Sequence, residues 1–139
     1  MQSIGFILVL ALALAMGTLS IPLNDKCSLL GRWQNDLDSE MNVLAVNNVG
    51  KIFGTYLTQV SSADKLISVS PLRGSQQIGN LEQPTFGLTV TWSFTTPTIL
   101  TTVFVGQCFV DENGKEVLQT MRLLRKKVGS SQDNWNATL

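Results

Sequence analysis

Strict alternation of apolar and polar side chains marks one stretch of the chain as a strand with a single buried face. A repeat of two residues is typical of a β-strand that packs one side on a core. The apolar face consists of Phe86, Leu88, Val90, Trp92 and Phe94, and the opposite face consists of Gly87, Thr89, Thr91 and Ser93. We therefore predict a half-buried strand here.

Six more strands are predicted from shorter runs of the same kind, at residues 31–35, 41–47, 51–60, 65–70, 100–110 and 115–127. Turn residues separate them, including Asn47-Asn48-Val49-Gly50, Pro71 and Asp111-Glu112-Asn113-Gly114, whose Asn-Gly ending favours a hairpin. No stretch has the pattern of a helix of normal length. Successive hairpins form an antiparallel up-and-down sheet, and closure into a barrel is how such a sheet protects its edges. The predicted fold class is an all-β barrel.

The last predicted strand, residues 115–127, is apolar on both faces. Leu118 and Leu124 share one face with Arg122, whereas Val117, Met121 and Leu123 share the other. The outer wall of a barrel normally carries polar side chains, so an apolar outer face indicates a subunit interface. We expect an oligomer.

The N-terminal residues 1–20 carry no charged side chain and contain an apolar run from Ile4 to Met16. The run is too short to span a bilayer comfortably, and small residues follow it, which is typical of a secretory signal peptide even though no Lys or Arg precedes the run. Cleavage could follow Gly17 or Ser20, and we expect it after Ser20, which leaves residues 21–139 as one domain. A buried N-terminal helix is the alternative, but Ile21-Pro22-Leu23-Asn24-Asp25 would break it at once.

The stretch Gly31–Ser39 combines a strand with a turn. Gly31, Trp33 and Asn35 alternate onto one face, so a Trp that can plug one end of a barrel lies beside an inward polar group that needs a partner. Ser39, after the turn, can reach the same point. Such an arrangement suits a barrel that holds a small ligand. The equally weighted alternative is a structural Trp followed by a turn-forming Asn-Asp pair.

Composition excludes several function classes. Ten Lys and Arg balance ten Asp and Glu, so no strong field attracts nucleic acid, and Arg125-Lys126-Lys127 is a small, solvated cluster. The chain has no His, which removes the commonest general base and transition-metal ligand and every Ser-His or Cys-His pair. We predict a protein that is not an enzyme and that binds no metal, nucleic acid or membrane.

Two cysteines, Cys27 and Cys108, lie far apart in a chain with a predicted secretory signal. An intrachain disulfide is the natural interpretation, and a free reactive thiol is the alternative. The C-terminal Asn136-Ala137-Thr138 is an N-glycosylation sequon, for which we expect poor occupancy so close to the C-terminus.

Seven segments together resemble the avidin family of secreted biotin-binding proteins. They are Lys26-Cys27-Ser28-Leu29, Gly31-x-Trp33-x-Asn35-Asp36-Leu37, Gly54-Thr55-Tyr56-Leu57-Thr58, Ser70-Pro71-Leu72, Gln83-Pro84-Thr85-Phe86-Gly87, Gly106-Gln107-Cys108-Phe109 and Asn113-Gly114-Lys115-Glu116-Val117-Leu118. The Gly-x-Trp start is shared with lipocalins, but the later segments favour avidins. The resemblance implies a secreted homotetramer, or a homodimer, of eight-stranded barrels that bind biotin without a cofactor, with Cys27 and Cys108 in a disulfide.

The resemblance also implies a set of biotin-binding residues. The ureido oxygen would receive hydrogen bonds from Asn35, Ser39 and Tyr56, while Thr58 would accept a ureido N–H and Thr102 would lie beside the ring sulfur. Trp92 and Phe104 match aromatic walls, and Trp135 matches a Trp that each subunit lends to its neighbour. The remaining positions are Leu37, Val60, Phe94, Leu124 and the loop residues Ser61, Ser62 and Ala63 that would meet the carboxylate. Core packing is the alternative role for each aromatic residue.

Two departures from the family pattern qualify this prediction. Arg122 stands where the family has a Trp on the seventh strand, and an inward guanidinium needs an acceptor or a route to water. The sequence ends at Leu139, before the family's eighth strand, so we expect seven strands and open edges on the first and seventh. Biotin binding with weakened affinity is therefore the first hypothesis. The alternatives are an avidin-like chain with weak or no binding, and a lipocalin-like carrier of another small, anionic ligand that Arg122 could contact.

Overall fold

A computed structural model describes residues 3–9, 26–58, 69–79, 82–93 and 99–139 of the chain. Eight antiparallel strands follow one another around a closed barrel, each paired with its neighbours in sequence. They are β1 (Ser3–Leu8), β2 (Gly31–Gln34), β3 (Glu40–Val46), β4 (Lys51–Leu57), β5 (Ser70–Gln76), β6 (Thr85–Thr91), β7 (Leu100–Val110) and β8 (Glu116–Lys126). A short 3₁₀ helix, Ser131–Asn136, follows β8. The predicted all-β, up-and-down barrel is confirmed.

The barrel is closed by eight strands, whereas the sequence predicts seven strands with open edges on the first and the seventh. Residues within the predicted signal peptide supply β1, which pairs with β8 from Ser3–Met121 to Ile7–Val117 and with β2 at Ile7–Gln34 and Leu8–Trp33. An apolar extended segment can satisfy the backbone groups of both edges while burying side chains inside the barrel. The predicted signal peptide remains a prediction, since its residues 10–20 lie outside the described part of the chain.

The C-terminal residues also pair with β8, in line with β1. The backbone N–H groups of Leu124 and Leu139 each donate to the other residue's carbonyl at 2.8 Å, and Arg125 bridges to Thr138 in antiparallel register. Because β1 begins opposite Met121, the two segments follow the same edge of β8 in the same direction. Only the positions of Arg122 and Leu123 separate them along β8.

The boundaries of β5 correct the predicted strand at residues 65–70. In the structure β5 begins at Ser70 and contains Pro71, and residues 65–68 lie outside the described ranges. Pro71 is tolerated because it is the second residue of the strand, and pairing with β6 starts only at Leu72. The polar stretch after Pro71 is thus a strand, although its residues resemble a loop in composition.

The barrel interior is filled by alternate residues of all eight strands. Trp33 is fully buried, and its indole N–H donates to the carbonyl of Leu29 at 2.8 Å. The predicted Cys27–Cys108 disulfide is confirmed, with 5.7 Å between the two Cα atoms, and it ties the segment before β2 to β7. Within the described residues, no helix is long and apolar enough to cross a membrane.

Candidate functional site

The buried polar residues of the barrel are concentrated at one end, which we call the polar end. It is the end at which β2, β4 and β6 finish and β3, β5 and β7 begin. Asn35, Ser39, Ser70 and Thr102 are each at most 8% exposed there. Burying so many hydrogen-bonding groups in an apolar barrel is costly unless each finds a partner. The hydrogen-bond partners of these four residues therefore indicate which of their polar groups are used by the fold and which can contact a ligand.

The turn between β2 and β3 fixes the side chain of Asn35. Its Oδ1 accepts the backbone N–H groups of Leu37 and Ser39, both at 3.0 Å. Asn47 holds the turn between β3 and β4 in the same way, and Asp111 holds the turn between β7 and β8. Asn35 is therefore a turn-forming residue, as one of the two sequence interpretations proposed. Because the turn occupies Oδ1, the amide N–H groups are the part that remains to donate elsewhere.

A chain of hydroxyl groups runs across the polar end of the barrel from Ser39, whose backbone N–H is bonded to Asn35. Ser39 Oγ donates to Thr58 Oγ1 at 3.2 Å, and Ser39 also hydrogen-bonds the phenol of Tyr56. Ser39, Tyr56 and Thr58 thus converge: Ser39 directly precedes β3, Tyr56 lies near the end of β4, and Thr58 directly follows β4. Hydroxyl groups can both donate and accept, so this network can be rearranged around a polar ligand.

Tyr56 is 3% exposed, and its environment keeps the phenol neutral. Burial raises its pKa above the ordinary value, although the hydrogen bond with Ser39 and the positive charge of Arg122 both act to lower it. At neutral pH the phenol therefore retains its proton and can donate a hydrogen bond. A neutral donor suits an uncharged acceptor such as a carbonyl oxygen.

Aromatic rings form one wall beside these hydroxyl groups. Tyr56 stacks on Phe104 with 5.6 Å between ring centroids and meets Trp92 edge-on at 5.2 Å. The indole N–H of Trp92 donates to Thr102 Oγ1 at 2.7 Å, which leaves the hydroxyl hydrogen of Thr102 to donate elsewhere. The predicted Trp92, Thr102 and Phe104 therefore belong to one connected surface with Tyr56.

Arg122 is half-buried on the inner face of β8, directly opposite Phe104 in the ladder. The alternation of exposure along β8, with Met121 and Leu123 outside, confirms the predicted inward direction. Its charge is close enough to Tyr56 to lower the pKa of the phenol. The positively charged guanidinium of Arg122 therefore belongs to a residue that pairs with Phe104 of the aromatic wall, on the inward face of β8.

Of the other predicted site residues, Leu37 and Trp135 lie apart from this cluster, whereas Leu124 borders it. Leu37 is 54% exposed on the turn after β2, and Trp135 is 82% exposed on the 3₁₀ helix. Leu124 is half-buried and pairs with Thr102 in the ladder. Asn136, the predicted glycosylation site, is exposed. The predictions for Val60, Ser61, Ser62, Ala63 and Phe94 concern residues outside the described ranges.

Ser70 is a buried polar residue of this end that the sequence did not single out as a site residue. It is fully buried opposite Tyr56 in the ladder, and its Oγ accepts the backbone N–H of Ser93 at 3.0 Å. The sequence predicts a strand that ends at Ser70, before Pro71, whereas in the structure Ser70 begins β5 and pairs with Tyr56.

The described residues contain no group of three Cys, Asp or Glu side chains that could hold a metal ion. What the polar end offers instead is a set of neutral hydroxyl and amide groups next to aromatic rings. Such a site binds a small ligand that combines a polar head with an apolar body. The structure thus defines a closed β-barrel of the small-ligand-binding class.

Comparison with known proteins identifies the family. The model of the avidin family matches residues 23–139. Chicken (Gallus gallus) avidin is 51% identical over 133 residues, which cover 95% of this chain and 84% of that protein, and chicken avidin-related protein 4/5 is 50% identical over 132 residues, covering 95% and 83%. The chain belongs to the avidin family, as the resemblance indicates.

Solved structures give the same result. A biotin-binding protein from chicken has a TM-score of 0.74 at 50% identity, covering 82% of this chain and 90% of that one. Xenavidin has a TM-score of 0.73 at 46% identity, covering 82% and 92%.

Proposed function

We propose that this protein binds biotin at the polar end of the barrel and that it catalyses no reaction. The observation that carries the proposal is the convergence of Asn35, Ser39, Tyr56 and Thr58 on one region beside Trp92 and Phe104. Membership of the avidin family and similarity to a chicken biotin-binding protein support it. The ligand needs no cofactor, because binding uses only hydrogen bonds and apolar contacts.

The donors suit the ureido group of biotin, whose oxygen is a strong acceptor. The neutral phenol of Tyr56, the hydroxyl of Ser39 and the amide of Asn35 can each donate to it, while Thr58 can accept a ureido N–H. Donors held in place by the fold lose little freedom on binding, and hydrogen bonds are stronger where water is excluded. The ring system would pack on Trp92 and Phe104, with the Thr102 hydroxyl directed at the sulfur.

Arg122 is expected to weaken this binding. A Trp at the equivalent position in the family would add an aromatic wall, whereas a guanidinium adds a charge that must keep contact with water or with an acceptor. The same charge supports the second candidate function, a carrier of a different small anionic ligand. A carboxylate could pair with Arg122 while its body packs on the aromatic wall.

The outer surface of β7 and β8 supports assembly into a homodimer or homotetramer. Val103 faces Leu123 and Val105 faces Met121 across the ladder, and these four side chains are 38–66% exposed. We propose that a second copy of the chain covers this patch and that the exposed Trp135 contributes to a neighbour's site. Light scattering after size exclusion should show an oligomer that Val105→Glu dissociates, whereas Leu44→Glu, at an equally exposed position on β3, leaves it intact.

We also propose that the protein is secreted. The Cys27–Cys108 disulfide supports this, because disulfides persist in oxidising compartments. Expression in cultured eukaryotic cells, followed by N-terminal sequencing of protein from the medium, would test both secretion and cleavage after Ser20. Retention of the chain inside the cells would contradict the proposal.

Quenching of tryptophan fluorescence during titration with biotin tests the binding proposal. The chain has three tryptophans, at positions 33, 92 and 135. Trp92→Phe should remove much of the signal change, whereas Trp33→Phe should preserve it because Trp33 is fully buried and bonded to Leu29. A loss of the change in Trp135→Phe would show that this residue reaches a site. No quenching by biotin, together with quenching by a simple apolar carboxylate, would favour the second candidate.

A further inference from the structure

Thr102 has a buried hydrogen-bond donor that the fold does not use. The residue is 1% exposed, and its Oγ1 accepts the indole N–H of Trp92 at 2.7 Å. A threonine hydroxyl can donate its own hydrogen while it accepts, and that hydrogen has no acceptor among the described residues. Because a buried donor without a partner is costly, we expect a ligand atom to accept it.

Arg122 adds a second group of unused donors to the same part of the barrel wall. It is half-buried on the inner face of β8, and its guanidinium forms no ion pair or hydrogen bond within the described ranges. Phe104 faces Arg122 across the ladder, and Thr102 lies two residues before Phe104 on the same face of β7. Diagonal neighbours in such a pair are about 7–8 Å apart, a distance that an arginine side chain can span.

The aromatic rings lie between these two donors and the hydroxyl groups of Ser39 and Tyr56. Tyr56 stacks on Phe104 and meets Trp92 edge-on, and Trp92 in turn bonds Thr102. The charge of Arg122 also acts on the Tyr56 phenol, so the guanidinium is directed toward the same rings. A ligand that packs on this wall is therefore within reach of both unused donors.

The ring sulfur of biotin is a poor partner for these donors. In the binding mode proposed above the sulfur faces Thr102, and the present inference rests on that proposal. A thioether sulfur is only a weak acceptor, so it satisfies neither a hydroxyl nor a guanidinium well. Oxidation to a sulfoxide makes the sulfur polar and chiral and adds an acceptor oxygen. A hydrogen bond to that oxygen from a charged donor is about twice as strong as one from a neutral donor.

We propose that Thr102 and Arg122 form a subsite for a sulfoxide oxygen and that the protein prefers biotin sulfoxide to biotin. The direction of the oxygen matters, because hydrogen bonds to the ureido group fix the orientation of the fused rings. One of the two sulfoxide epimers directs its oxygen at Thr102 and Arg122, whereas the other directs it away from them. The preferred ligand is therefore a single epimer.

Calorimetric titration of the purified protein with biotin and with each separated epimer tests this preference. One epimer should bind at least about tenfold more tightly than biotin and than the other epimer. Equal affinities of the two epimers, or tighter binding of biotin than of either, would overturn the subsite and leave biotin binding intact. Failure of all three ligands to bind would overturn the proposed function, and this inference with it.

Variants of the two donors test which residues read the oxygen. The measured quantity is the ratio of the two affinities, preferred epimer to biotin, since a general loss of stability affects both ligands. Arg122→Leu should lower this ratio at least about tenfold, whereas Arg125→Leu, at an exposed position of the same strand, should leave it unchanged.

The Thr102 hydroxyl is tested by the same ratio. Thr102→Val should lower it, and Thr102→Ser, which keeps the hydroxyl, should preserve it. An unchanged ratio in both Arg122→Leu and Thr102→Val would show that other groups contact the oxygen, and the assignment of the subsite would be wrong.

Discussion

Asn35 Oδ1 accepts the backbone N–H of Ser39 at 3.0 Å, so one side chain both closes a turn and holds in place the residue whose hydroxyl bonds Tyr56. If biotin binds here, Asn35→Ala should weaken binding by about 1–3 kcal/mol, the cost of losing a buried partner. Tyr56→Phe should weaken it by a similar amount because it removes a neutral donor. Isothermal titration calorimetry measures both.

Asn47→Ala is the matched control for the turn. Asn47 accepts the N–H groups of Val49 and Lys51 at 3.0 and 2.9 Å, so its loss should destabilise a turn to the same degree at the other end of the barrel. Equal losses of biotin affinity in Asn35→Ala and Asn47→Ala would mean that the effect acts through stability. Unchanged affinity in both Asn35→Ala and Tyr56→Phe would place the ligand elsewhere.

Tyr56 should titrate above its ordinary pKa of 10.0, since burial is the largest influence on it. It is the chain's one tyrosine, so the absorbance of the tyrosinate ion reports this group alone. Between 10.0 and the folded pKa the folded chain keeps a proton that the unfolded chain loses, so the free energy of unfolding should fall as pH rises above 10.0.

Arg122→Gln should raise the pKa of Tyr56 further, because the positive charge of Arg122 lowers it. Arg125→Gln, an exposed neighbour on the same strand, is the control and should leave the titration unchanged. If Arg122→Gln has no effect, the guanidinium is not near the phenol in solution.

Asp38 occupies a backbone conformation that two other turns assign to glycine. Its φ is 61°, while Gly50 and Gly114, at the same position of the turns held by Asn47 and Asp111, have φ of 82° and 79°. Asp38→Gly should therefore raise the free energy of unfolding, by up to about 1 kcal/mol. Urea denaturation measures it, with Asp36→Gly in the same turn as the control. A loss of stability in Asp38→Gly would mean that the carboxylate makes a contact outweighing the strain.

Removing the disulfide should be costly. The bridge spans a sequence separation of 81 residues. In the chain-entropy model it stabilises the fold by about 4 kcal/mol. The double variant Cys27→Ser/Cys108→Ser should lose a free energy of unfolding of that order, measured by urea denaturation under non-reducing conditions. Alkylation of the unfolded wild-type protein should require prior reduction, and labelling without reduction would contradict the bridge.

Arg122→Trp should strengthen biotin binding, by about 1–3 kcal/mol, through restored aromatic contact with the ligand. Arg122→Leu removes the positive charge without adding an aromatic ring, so it separates the effect of the charge on affinity from the effect of the ring. Calorimetry with both variants gives the comparison. If Leu and Trp bind biotin equally well, the charge alone limits affinity, and if neither improves it, Arg122 lies outside the site.

The three tight hairpins and the inward direction of Arg122 could be predicted from the sequence because local chemistry determines them. Asn and Asp side chains bond the turn backbone, and alternation fixes the direction of each strand residue. The closing strand could not be predicted in this way. Residues 3–8 are nearly all apolar, so they show no alternation, and only pairing with β2 and β8 selects Phe6 for the interior. The partners within the site, such as Trp92 with Thr102, depend on the curvature of the whole barrel.

The C-terminal residues and β1 follow one edge of β8 in the same direction, with only Arg122 and Leu123 between them. β1 and the C-terminal residues thus lie as two successive pieces along one edge of β8. A bridge of about two extended residues, each advancing roughly 3.3 Å, matches that gap in register. Joining Leu139 to Ser3 and opening new termini before Lys26 would give a circular permutant in which the two half-strands become continuous.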